Sequence, residues 1–208
     1  MFITLEGPEG SGKTTLCERL ELLLTSKGYD MVCVREPGGT LIGQQVRDIL
    51  LDQGNTGMAP QAEFLLFSAS RAQLVREVVK PNLETGVVVL CDRFLDSSLA
   101  YQGYGHQLDV DVLREISGFV TAGLQPDLTL LLDILPEEGL RRRKQAPDTW
   151  NRLDAYSIEF HSRVRSGFLR LAKDNPNRWK IIDANQSADA IFNVASKVLL
   201  EALEKPSV

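Results

Sequence analysis

The sequence predicts an α/β fold, a five-stranded parallel sheet with helices on both faces, in a single domain spanning residues 1–208. Three observations predict it. Short apolar runs alternate with segments of helical period along the whole chain. The first run leads into a glycine-rich stretch and then a helix start. The length suits one domain with a mobile insert, and no internal repeat or low-complexity tract interrupts it.

Taken in order, residues 2–5, 31–34, 87–91, 128–132 and 179–182 are too apolar and too short for amphipathic helices, and they read as strands buried on both faces. Between them the spacing predicts helices over 13–27, 41–51, 60–80, 110–122, 136–144, 153–173 and 188–203. Gly28 stops the first of these, and Pro60 opens the third at a position where its missing N–H costs nothing. The stretch 145–151 is irregular and flanked by basic residues. It reads either as an ordinary helix–helix loop or, in a phosphate-binding protein, as a lid covering residues 141–154.

The stretch Gly7-Pro8-Glu9-Gly10-Ser11-Gly12-Lys13-Thr14, followed by Thr15, fits G-x-x-x-x-G-K-[ST] and sits between a strand and a helix. Glycines let backbone N–H groups turn inward around phosphate oxygens, and the helix presents its positive end to them. Lys13 would reach the β- and γ-phosphates, and the Thr14 hydroxyl would ligate Mg²⁺. The chain is therefore expected to bind a nucleoside triphosphate.

Parallel sheets bind ligands outside the carboxyl ends of their strands. Asp92 and Arg93, which end the third run, should face the phosphates, Asp92 holding the metal's water shell or receiving a proton and Arg93 forking onto phosphate oxygens. Asp133 ends the fourth run in the same way, and a structural role for it stands level with a functional one. Phe67 and Arg71 lie four residues apart on one helix face, where they can stack on a base and donate to its carbonyl. A core Phe beside a surface Arg explains the same spacing.

The net charge of −5 argues against a nucleic-acid polymer as partner, whereas the cluster Arg141-Arg142-Arg143-Lys144 suits a small anion. Cys17, Cys33 and Cys91 are odd in number and fall inside predicted elements, so buried reduced thiols and a cytosolic home are expected. The chain opens into a strand and no apolar run approaches ~18 residues, so neither a signal peptide nor a membrane span is expected. His106 and His161 read as surface or helix residues rather than metal ligands.

The run Asp92-Arg93-Phe94-Leu95-Asp96-Ser97-Ser98-Leu99-Ala100-Tyr101-Gln102-Gly103 joins the phosphate loop, Arg35-Glu36-Pro37-Gly38-Gly39-Thr40, and Pro126-Asp-Leu-Thr-Leu-Leu-Leu-Asp133 in one collinear series. This series resembles the bacterial thymidylate kinases from Met1 to about Leu171. The resemblance implies a P-loop kinase fold with an arginine-bearing lid, ATP with Mg²⁺ as donor, dTMP as acceptor, dTDP as product, and a homodimer. By position it implies that Phe67 stacks on thymine, Arg71 reaches O4, and Gln102 meets the N3 edge. Arg93 would hold the acceptor phosphate, Glu9 the sugar 3′-hydroxyl, and Tyr101 would crowd the place of a 2′-hydroxyl. Glu36, Arg47 and Ser98 fall on the acceptor side. The phosphate loop carries Glu9 and no arginine, so the lid should supply the catalytic arginine, with Arg152 the first candidate and Arg143 the second. Phe94 stands where many relatives have Tyr. A GTPase would carry a guanine-reading Asn-Lys-x-Asp element, which is absent from the sequence. A deoxynucleoside kinase acting on thymidine and a non-catalytic nucleotide sensor are the remaining alternatives.

Overall fold

The computed structural model describes residues 1–146 and 150–204. Its strands are β1 (Phe2–Glu6), β2 (Met31–Arg35), β3 (Val88–Asp92), β4 (Leu128–Asp133) and β5 (Trp179–Asp183). All pair in parallel in the order β2-β3-β1-β4-β5. The predicted sheet and its two helical layers are therefore present. Each strand runs one residue past its apolar segment, and the extra residue is Glu6, Arg35, Asp92, Asp133 or Asp183. The register sets Arg35 beside Asp92, so charge collects along one edge of the sheet.

Strand residues alternate between two apolar layers. Phe2, Val89, Cys91 and Leu131 turn toward α3 (Pro60–Leu74), α6 (Val110–Thr121) and α8 (Ile158–Asp174). Ile3, Leu5, Leu90, Leu130 and Leu132 turn toward α1 (Lys13–Ser26) and α9 (Ala188–Leu203). Burial on both faces is what the near-continuous apolar strands required. The remaining helices are α2 (Leu41–Leu51), α4 (Lys80–Glu84), α5 (Leu95–Ser98) and α7 (Pro136–Lys144).

Three local features depart from the sequence expectation. The predicted helix over 60–80 is α3, followed by a π-helical turn at Val75–Val79 and by α4. The predicted helix over 153–173 is a 3₁₀ turn at Arg152–Ala155 and then α8, separated where Ser157 caps the new helix by accepting from the Phe160 N–H. Residues Leu95–Gly105, given no helix by the sequence, form α5 and a seven-residue π-helical segment, Leu99–Gly105. That segment lies against α8 so closely that a Cβ on Gly105 would fall 2.7 Å from the Phe160 ring, and one on Gly167 2.7 Å from Tyr104.

The expectation of three reduced thiols is corrected. α1 packs directly on β2, and the side chains of Cys17 and Cys33 meet as a disulfide, while Cys91 is free and buried. Of the lid segment 141–154, residues 147–149 lie outside the described residues.

Candidate active site

A cavity of about 740 Å³ opens at the carboxyl edge of β1, β2 and β3. Its floor is the phosphate loop. After Glu6 the chain takes positive φ at Gly7, Gly10 and Gly12, conformations that only glycine adopts without strain. Gly10 has a second reason to be glycine, since a Cβ there would lie 2.1 Å from the carbonyl oxygen of Gly139 on α7. That approach ties the loop to the helix bearing the arginine cluster. α1 begins at Lys13 with no side-chain cap, so its first N–H groups face the loop.

Lys13 curls back over the loop, its Nζ donating to the carbonyls of Gly7 (3.0 Å) and Pro8 (2.9 Å) and to Ser11 Oγ (3.1 Å). Burial, then the neighbouring Arg93, hold its pKa down at about 8. The Thr14 hydroxyl donates to Asp92 Oδ2 at 3.0 Å, which sets two hard oxygen ligands together beside the loop. Such a donor set fits Mg²⁺, which keeps most of its coordination for water and phosphate oxygens.

Arg93 has positive φ, rare for any residue with a Cβ, and four hydrogen bonds hold it there. Nη1 donates to Gly7 O (3.0 Å) and Ser97 Oγ (3.1 Å), and Nη2 to Glu9 Oε1 (3.0 Å) and the Tyr101 hydroxyl (3.1 Å). Tyr101 itself donates to Glu9 Oε1 at 2.7 Å. Burial alone would raise the Glu9 pKa, but Arg93, Lys13 and Tyr101 outweigh it and bring it to about 2. Glu6 supports the group from below, accepting from the Phe94 N–H and from Ser97 Oγ. Burial and the nearby Asp96 push its own pKa up to about 8.

The wall facing the phosphate loop is built on α3, α5 and the Leu99–Gly105 segment. Phe67, Ser98, Tyr101 and Gln102 line the cavity together with Glu36 and Arg47. Arg71 stands behind that wall, 1% exposed, its Nε donating to Glu36 Oε2 at 2.7 Å and its Nη2 to Ser98 Oγ at 2.9 Å. Among the described residues its buried Nη1 has no hydrogen-bond partner, nor does the buried Oε1 of Gln102. Arg47 Nη1 donates to the Pro37 carbonyl at 2.9 Å. Glu36 is buried, which pushes its carboxyl up to about 7 against the pull of Arg71.

The arginines divide in a way the sequence did not predict. Arg142 and Arg143 line the cavity. Arg143 forks onto Asp154 through Nε (2.9 Å) and Nη2 (2.6 Å), and Arg142 donates to Glu138 and to the Ala184 carbonyl. Arg141 pairs with Glu138 on the exposed side of α7. Arg152, expected to swing toward the phosphates, is placed otherwise. It is 5% exposed, donates to the Leu50 carbonyl and to Glu63, and lies outside the cavity lining. A buried carboxylate 89 residues away in sequence holds it inward. Asp133 is gripped by Arg165 at 2.7 and 2.8 Å and does not line the cavity. His106 packs against Tyr156 and Phe160 rather than lying on the surface, and His161 is buried on α8.

Arg35, Ser97 and Trp150 also line the cavity and were not assigned there from the sequence. Arg35 had a usable signal, since it ends a strand as Asp92 does. Ser97 had none, because the helical course of Leu95–Gly105 was not visible.

A family model described as thymidylate kinase matches residues 5–194. The thymidylate kinase of Deinococcus radiodurans is 52% identical over 193 residues, spanning 92% of this chain and 92% of that one. That of Roseiflexus sp. (strain RS-1) is 48% identical over 202 residues, spanning 92% and 89%. The crystal structure of thymidylate kinase from Ehrlichia chaffeensis superposes with a TM-score of 0.77 at 35% identity, covering 96% of this chain and 98% of the other. Motif, fold and relatives agree, and this chain belongs to the thymidylate kinase family.

Proposed function

We propose that the chain transfers the γ-phosphoryl group of ATP to dTMP, giving dTDP and ADP, with Mg²⁺ at Thr14 and Asp92. The single observation that carries this reading is that the phosphate loop and the acceptor wall open into one cavity, with Arg93 between them. Phosphoryl transfer asks little covalent work of a protein and much positioning and charge neutralisation. Two phosphate charges about 4 Å apart repel by about 4 kcal/mol at an effective dielectric near 20. Bound Mg²⁺ would supply part of the neutralisation.

The chain's own residues supply the rest. Lys13 reaches the transferring phosphates by exchanging carbonyl partners for phosphate oxygens. Arg93 holds the acceptor phosphate, its aim fixed by Glu9 and Tyr101. Glu9, ionised at any working pH, faces the sugar 3′-hydroxyl. Phe67 stacks on the base, and Arg71 and Gln102 offer it their unpartnered atoms. Arg143, with Arg142, meets charge on the transferring group when the lid closes. Arg152 anchors the far end of the lid.

The homodimer belongs to the same reading and is supported by exposed apolar residues on two helices in contact, Leu65 on α3 and Val112 and Phe119 on α6. So does a cytoplasmic location; among the described residues no helix is long and apolar enough to cross a membrane. A coupled assay of ADP release with dTMP, thymidine, dUMP, UMP and AMP as acceptors tests the reading. Highest kcat/KM with dTMP supports it, and turnover of thymidine with none of dTMP overturns it in favour of a deoxynucleoside kinase.

A further inference from the structure

The primary amide of a glutamine can present either its donor or its acceptor to a ligand, and something must fix which. For Gln102 that something is Glu63 on α3. Gln102 Nε2 donates to Glu63 Oε1 at 2.7 Å, which leaves its Oε1 as the unengaged atom of a residue lining the cavity. Glu63 is fully buried and is itself over-determined. Its Oε2 accepts from Arg152 Nη2 (2.6 Å) and the Tyr156 hydroxyl (3.0 Å), and His106 Nε2 lies 3.2 Å from Oε1.

Surrounded by donors, Glu63 stays ionised. Burial raises its pKa, but His106, Gln102 and Arg152 outweigh that and bring it to about 2. A carboxylate only accepts hydrogen bonds. A reversed Gln102 amide would set oxygen against oxygen between two buried side chains, so one orientation survives. The acceptor left over at Gln102 and the unpartnered donor Nη1 of Arg71 together complement a pyrimidine with a 4-keto group and an N3–H. Cytosine inverts both groups.

We infer that Glu63, which does not line the cavity, is a positioning residue for base recognition that locks the Gln102 amide with its oxygen available to N3–H. The inference rests on the reading of dTMP as acceptor. It also gives Arg152 a role at a distance from the phosphates, since the far end of the lid is tied to the same carboxylate that orients the base reader.

The test compares dTMP with its 3-deaza analogue, which carries C–H in place of N3–H, in the wild-type chain, Glu63→Gln, and Glu63→Gln with Arg152→Met. The double change is the deciding variant if the single one fails to fold, because it removes the guanidinium that Glu63→Gln would strand. The wild-type chain is expected to prefer dTMP over the analogue by roughly ten- to a hundredfold in kcat/KM, the size of one lost buried hydrogen bond. In the variants that preference should collapse to about threefold or less, through KM for dTMP, while KM for ATP holds. A variant that keeps the wild-type preference, or raises both KM values together, overturns the role of Glu63. A wild-type chain that ignores dTMP altogether overturns the functional reading and this inference with it.

Discussion

Arg93 and Glu9 stand 3.0 Å apart across the mouth of the phosphate loop, and the Tyr101 hydroxyl, 2.7 Å from Glu9 and 3.1 Å from Arg93, closes them into a triangle. The phosphate loop thus carries the carboxylate that fixes the Arg93 guanidinium, the group proposed to hold the acceptor phosphate. This ion pair joins the phosphate loop to the wall bearing Arg93 and is buried enough to be little screened by solvent.

The first expectation concerns Lys13. Its pKa of about 8 means that the ammonium is present below that pH and lost above it. In the free enzyme, kcat/KM for ATP should therefore fall as pH rises through about 8, whereas bound phosphates favour the ammonium and move the limb in kcat to higher pH. Lys13→Ala should lower kcat by roughly two decades or more with the fold intact. Profiles recorded from about pH 6.5 to about pH 9.5 check this, and a flat kcat/KM through that range speaks against it.

A second expectation separates base reading from core packing. Phe67→Ala, Arg71→Ala and Gln102→Ala should each raise KM for dTMP by about one to two decades and leave KM for ATP nearly unchanged. Arg71→Ala also removes the partner of the buried Glu36, so its melting temperature should drop by several degrees as well. Equal effects on both substrates would assign these side chains to the core alone.

Much of this site was readable from the chain, and the unreadable part has a physical reason. The strands announced themselves because burial on both faces demands unbroken apolar runs, and Asp92 and Arg93 because they end one. The Leu99–Gly105 segment did not, since Gly103 and Gly105 are poor helix formers and its form comes from packing on Phe160 and Val164 of α8. The fate of Arg152 was equally hidden. Nothing in the sequence near Arg152 announces that Glu63 will take it, because the partner arrives only through the tertiary fold. The Cys17–Cys33 pairing likewise follows from α1 lying on β2, a contact that counting cysteines does not give.

Tyr101 brings two separable features to the cavity, its ring volume and its hydroxyl. Tyr101→Ala should relax discrimination against ribo-TMP by opening the space of a 2′-hydroxyl. Tyr101→Phe keeps the ring and should keep that discrimination, while releasing Glu9 and Arg93 and lowering kcat by about tenfold, as loss of hydrogen bonds to charged groups predicts. An unchanged ratio of dTMP to ribo-TMP efficiency in Tyr101→Ala would place the discrimination elsewhere.

The arginines of the lid are expected to sort by what they touch. Arg143→Ala, and to a lesser degree Arg142→Ala, should lower kcat by roughly a hundredfold with smaller changes in either KM. Arg141→Ala, on the exposed face, should be close to normal. Arg152→Ala should instead destabilise the fold by about 3–5 kcal/mol, because it leaves Glu63 buried without its guanidinium. Steady-state kinetics and thermal melting on the four variants distinguish these outcomes, and a normal kcat in both Arg142→Ala and Arg143→Ala would remove the lid from the chemistry.

In the proposed reaction one cavity brings γ-phosphate and dTMP into line over Lys13 and Arg93. Phosphorus NMR of ATP, Mg²⁺ and dTMP with the wild-type chain and with Lys13→Ala tests it most directly. The two phosphorus resonances of dTDP should grow in step with ADP in the wild-type chain and almost vanish in the variant. ADP accumulating with inorganic phosphate and no dTDP, or equal dTDP formation by both chains, would contradict it.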